Sequence, residues 1–161
     1  VSRAFTQDGQ EGEDAQVLPE RPISIERNLV TARGLAMIEA ELKQARSLFA
    51  TAEAAGDRIA MGNASRDIRY WAARRASAEL VTPSAADDGI RFGMAITLHY
   101  PDGRERIWRI VGEDEADAAL GRISHVSPLA RALFGKDVGD VVRVGPQEAE
   151  IVEIDRTPEV P

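Results

Sequence analysis

The chain has 161 residues, with 20 Lys and Arg against 27 Asp and Glu for a formal net charge of −7, and no cysteine. That length holds one or two domains and a core of useful size. No apolar run approaches the roughly 20 residues of a membrane span, and the missing thiols exclude a disulfide framework, a thiol nucleophile or a cysteine-built zinc site. The negative balance argues against broad attraction to DNA or to an anionic membrane.

In chain order, residues 1–29 come first, with three basic and six acidic side chains. They show no sustained period and too little apolar surface to offset the entropy of ordering, so a mobile acidic tail is expected, with Pro19 and Pro22 marking its end. The first 14 residues have the composition of neither a signal peptide nor an Arg-rich transit peptide, and the expected compartment is the cytoplasm.

Residues 30–82 carry eight basic and six acidic groups and follow a different grammar. Leu35, Ile38, Leu42, Ala45, Phe49 and Ala52 fall at alternating spacings of three and four, a heptad seam along a helix that packs on a partner helix. Thr31 is a plausible N-cap for a helix over residues 32–55. Gly56-Asp57 interrupts it, and Met61-Gly62-Asn63 is a second candidate turn. A second helix is expected over residues 64–81, with Ile68, Trp71, Ala78 and Val81 on its apolar face, Arg75 on the same stripe, and Thr82-Pro83 closing it. The two make an antiparallel hairpin, projecting roughly 27–36 Å at 1.5 Å per residue.

Residues 83–161, with nine basic and fifteen acidic groups, read as strands. Met94, Ile96, Leu98 and Tyr100 alternate as in a half-buried strand. Pro101-Asp102-Gly103 turns the chain into a strand over 106–111. A solvated acidic loop over 112–121 precedes a short strand over 122–126. Ser127 as N-cap and Pro128 at the first helical position open a short helix that Gly135 ends. Strands over 141–144 and 150–154 complete a small, mainly antiparallel sheet. The fold class is α+β, with an N-terminal helical hairpin and a C-terminal β domain.

Residues suited to chemistry are few. His99 and His125 lie 26 positions apart with no spaced ligand set around either, so packed or surface imidazoles are the simpler reading. The acidic run from Gly112 to Asp117 lacks the glycine and terminal glutamate of a calcium loop. No phosphate-binding glycine loop or nucleophile elbow occurs.

Three strings carry a family likeness. They are Val30-Thr31-Ala32-Arg33-Gly34-Leu35, the run WRIVGEDEAD from Trp108 to Asp117, and the run ISHVSPLARALFGK from Ile123 to Lys136 followed by Val138-Gly139-Asp140. Across residues 28–155 the chain resembles the Gre family of bacterial transcript-cleavage and elongation factors. The resemblance implies a coiled-coil arm (30–82) and an FKBP-like domain (83–161). It also implies RNA polymerase as partner, with the globular domain at the rim of the secondary channel, the arm inserted, and nucleic acid met only indirectly within the elongation complex.

In that family an Asp and a Glu at the arm tip help to hold a second magnesium ion in the polymerase active centre. Here Asp57 matches the Asp, while no alignment supplies the Glu: Gly62 or Arg66 takes its place. Asp67 is a further candidate contact, and Arg58, Arg66 and Arg69 make the tip more basic than the family pattern. The arm is also shorter. Ser127, Pro128 and Arg131 fall in the docking loop, where Val126 replaces the family's usual Asp or Asn. The expectation is therefore a polymerase-binding elongation factor that is not itself an enzyme. It would have no cofactor of its own beyond a shared polymerase magnesium, and weak or absent cleavage stimulation. The alternatives are an orthodox cleavage factor, an FKBP-like isomerase, or an adaptor for another partner.

Overall fold

The computed structural model describes residues 16–161. Two long helices form the arm, α1 over Ala32–Ala55 and α2 over Arg58–Ser77. Thr31 caps α1 by accepting a hydrogen bond from the Gly34 N–H. The heptad seam is the packed face: Ile38, Leu42, Ala45 and Ala52 are buried, and Leu35 and Phe49 half-buried. Large side chains concentrate near the base, where Val30, Ile38, Leu42 and Trp71 form one apolar cluster. Toward the tip the helices meet through Ala52 and Ala64.

The second helix differs from its expected bounds at both ends. It starts at Arg58, six residues early, because Asp57 caps it by accepting from the Ala60 N–H at 3.0 Å. Met61-Gly62-Asn63 is therefore helical and not a turn. At the other end, residues 79–80 leave the helix to form β2 (Glu79–Leu80), parallel to β1 (Leu29–Val30). Two backbone hydrogen bonds, from Glu79 N to Asn28 O and from Val81 N to Val30 O, replace the helical ones.

The C-terminal sheet has the order β5-β4-β3-β7-β6. Its strands are β3 (Ala95–His99), β4 (Glu105–Val111), β5 (Arg122–Ser124), β6 (Val141–Val144) and β7 (Gln147–Asp155). Only β4 and β5 pair in parallel. One face packs Ile96, Leu98, Trp108, Ile110 and Ile151 against Ala130 and Leu133 of the short helix α3 (Pro128–Leu133). β5 ends before His125, because the Ser124 oxygens accept from Val126 N and Ser127 N to make a turn.

Two expectations about solvation change. The acidic run after β4 folds into short 3-10 turns at Glu113–Glu115 and Ala118–Leu120, and Asp114 and Glu115 point inward instead of into water. Of the expected mobile tail, residues 17–21 contact α2, and Glu26 and Arg27 meet Arg131 and Glu79. The remainder of that tail, residues 1–15, lies outside the described residues.

Candidate functional site

At the arm base, buried charges join the hairpin to the β domain. Arg74 of α2 is 2% exposed and its guanidinium is held from two sides. Its Nε donates to Asp114 Oδ2 at 2.6 Å and its Nη2 to Asn28 Oδ1 at 2.6 Å, with Glu113 at 3.9 Å. Asn28 returns a hydrogen bond to the Arg74 carbonyl. The Tyr70 hydroxyl donates to the other oxygen of Asp114; burial first, and that bond second, push its pKa up to about 12. A phenol so placed stays a donor at any physiological pH.

A second buried carboxylate, Glu115, accepts from the Thr31 hydroxyl at 2.6 Å, from the Thr31 and Gly112 backbone N–H groups, and from Arg122 at 3.0 Å. Gly34 makes this approach possible. A Cβ added there would sit 2.2 Å from the Glu115 carboxyl carbon, so the helix can lie on that carboxylate only without a side chain. Arg122 also holds Glu159 through two bonds of 2.8 Å, which places the Glu159 carboxyl below its ordinary pKa of 4.5.

The tip is sparse. Gly56 adopts φ +68° as the left-handed cap of α1, and Asp57 N donates to Ala52 O, so Gly56-Asp57 alone turns the chain between the helices. The Asp57 carboxylate faces the first turn of α2 as its cap. Asp67 lies ten residues further along α2, about 15 Å at 1.5 Å per residue. It accepts from Arg66 at 2.7 Å and pairs with Arg21 at 3.5 Å. The two aspartates therefore do not converge, and among the described residues no group of three His, Asp or Glu side chains could hold a metal. Asp57 alone could give a magnesium ion one carboxylate at most, the rest of its octahedral oxygen set having to come from elsewhere. Between the helices lies a mostly apolar groove of about 400 Å³, lined by Leu48, Ala52, Ala55, Ala60 and Ala64, with Asp57, Asn63 and Asp67 at its rim.

The three arm arginines do not form one patch. Arg58 is exposed at the tip, Arg66 folds onto Asp67, and Arg69 is paired with Glu20. In the α3 loop, the Ser127 hydroxyl caps the helix by accepting from Ala130 N at 3.2 Å, Pro128 opens it, and Val126 is half-buried beside it. Arg131 projects outward and meets Glu26 at 3.6 Å. His125 packs edge-on against Phe92, and burial holds its imidazole below the ordinary pKa of 6.5. His99 is exposed at the end of β3, near Glu105.

Sequence reasoning missed the base. Arg74 occupies a seam position, three residues beyond Trp71, which is itself seven beyond Ala64, but a search for apolar residues passes over it and puts its exposed neighbour Arg75 on the stripe instead. A usable signal was present. Two of the strings that carry the family likeness, residues 30–35 and 108–117, are the two sides of this junction, through Thr31, Gly34, Asp114 and Glu115.

These features define a class: a two-helix arm with a plain tip, anchored through buried charges to a small β domain that presents a proline-led helix. The description "Transcription elongation factor, GreA/GreB, C-term" matches residues 85–156. The transcription elongation factor GreA of Ruegeria pomeroyi is 34% identical over 81% of this chain and 99% of its own length. That of a Methylobacterium species (strain 4-46) is 37% identical over 78% and 94%. A solved GreA/GreB factor from Nitrosomonas europaea is 18% identical with a TM-score of 0.41, covering 80% of this chain and 98% of that one. The chain belongs to the GreA/GreB family of transcription elongation factors.

Proposed function

We propose that this elongation factor binds bacterial RNA polymerase at the secondary channel, inserts its short arm, and modulates elongation with little or no stimulation of transcript cleavage. The tip carries this reading: its one family-matching carboxylate, Asp57, serves as the cap of α2, and Gly62 or Arg66 stands where the family's glutamate would. Metal-assisted hydrolysis needs oxygen ligands that neutralise the ion while a water is activated, and the tip offers no such pair. On this reading the factor supplies no catalytic group and no cofactor of its own. Its contacts are the tip side chains Asp57 and Arg58, Arg66, Asp67 and Arg69 along the arm, and Val126, Ser127, Pro128 and Arg131 at the docking loop.

The experiment is competition on a stalled elongation complex. Added before a cleavage-competent relative, the protein is expected to occupy the channel and protect the nascent transcript. Protection should weaken for Arg131→Glu, whose side chain projects outward from α3. Failure to protect, together with failure to co-purify with core polymerase, overturns the proposal.

A further inference from the structure

Residues 16–27 run alongside α2 in the same direction, from near the tip to the base. The Leu18 N–H donates to Asn63 Oδ1 at 2.8 Å, Glu20 pairs with Arg69, and Arg21 reaches Asp67 at 3.5 Å. The Arg21 guanidinium also lies 3.8 Å from the Tyr70 ring centroid. Further on, Glu26 meets Arg131 at 3.6 Å and Arg27 meets Glu79 at 2.5 Å. The four ion pairs alternate in sign along the segment, each answered by an opposite charge on the arm, on β2 or on α3. Gly62 fits this path: a Cβ there would lie 2.8 Å from Val17 Cγ2, so the glycine inside α2 leaves room for the segment.

The attachment is ionic rather than apolar. Val17, Leu18 and Ile23 keep about half of their surface in water and Ile25 all of it, so the segment buries only part of its hydrophobic surface. Both partners of its outer pairs are exposed, and contacts of that kind are weak and screened by salt. Pro19 and Pro22 keep the chain extended, which lowers the entropy lost on lying down and regained on release.

Two of the surfaces proposed to face polymerase are thus already answered from within the chain, Arg69 on the arm by Glu20 and Arg131 on α3 by Glu26. We propose that residues 16–27 form a displaceable strap whose two carboxylates, Glu20 and Glu26, occupy these arginines in the free protein, and which must be released for the arm and α3 to engage their partner. This rests on the polymerase reading above. Glu20 and Glu26 stand in for the acidic or phosphate-bearing surface that would take Arg69 and Arg131 in the complex. Release frees both together.

The absence of cysteine permits a direct test. A Cβ built on Gly62 lies 3.5 Å from Val17 Cβ, within the span of a disulfide. In the Val17→Cys/Gly62→Cys variant of the full chain, oxidation should lock the strap, and binding to core polymerase should fall roughly tenfold or more, returning on reduction. Glu20→Lys/Glu26→Lys should release the strap and bind at least as tightly as the parent. It should also show faster hydrogen exchange at backbone amides of the strap-covered stretch of α2, residues 62–71. Equal binding by the oxidised and reduced forms overturns the strap while leaving the polymerase reading intact. Absence of binding by both forms, and by the parent, overturns the two together.

Discussion

The two ends of the arm are built from opposite materials. At the base, Arg74, Asp114 and Glu115 are buried, and most of their polar atoms have named partners across the junction. At the tip, two residues turn the chain and alanines separate the helices around an open groove. A buried charge network tolerates few alternative arrangements, because each unpaired group left behind is costly. The base therefore fixes the angle at which the arm leaves the β domain. The tip, with little buried, is the end at which residues can be exchanged without loss of the fold.

Substitution should separate the two ends sharply. Arg74→Ala strands Asp114 and Asn28 without their guanidinium partner, and is expected to destabilise the protein by about 3–5 kcal/mol in urea unfolding. Gly34→Ala forces a methyl group against the Glu115 carboxyl and should cost about 1–3 kcal/mol. Combined with Glu115→Ala it should cost less than the two changes summed, since the clash is then gone. At the tip, Asp57→Ala removes only a helix cap, about 1 kcal/mol. Its effect should appear as faster hydrogen exchange confined to the first turn of α2. A tip substitution as damaging as Arg74→Ala would erase the contrast.

The smallest effect is a pH dependence. Arg122 holds the folded-state pKa of Glu159 below 4.5, so the native state binds fewer protons than the unfolded chain. The stability this pair contributes is fully present above about pH 4.5 and is lost as pH falls through the lowered folded value. Wild type should therefore exceed Glu159→Gln in stability at pH 7, and the gap should close in acid. A gap unchanged down to pH 2 would show that Glu159 acts through something other than its charge.

The hairpin was legible in the sequence because its seam is apolar and periodic: Ile38, Leu42 and Ala45 are where the spacing puts them. The sheet was legible from alternation at Ile96 and Leu98. Three features escaped for three physical reasons. Arg74 is a charged residue in a seam, invisible to a hydrophobic pattern. The 61–63 stretch looks like a turn, but Asp57 caps the helix ahead of it, and Gly62 answers to packing by Val17 rather than to chain reversal. The strap has no period at all, since it is held by charges on other elements that no local pattern can reveal. Of the candidate site residues, sequence reading located the tip and the α3 loop. It missed that Asp57 is occupied by α2 and that Arg69 and Arg131 are met by the chain's own carboxylates.

The proposal that this factor gives little or no stimulation of transcript cleavage stands on its arm tip. It is tested most directly by adding the purified protein alone to backtracked elongation complexes and measuring transcript length over time. The account predicts a distribution no different from that of polymerase alone, with the protein bound. Rapid shortening of the transcript that disappears on Asp57→Ala would contradict it.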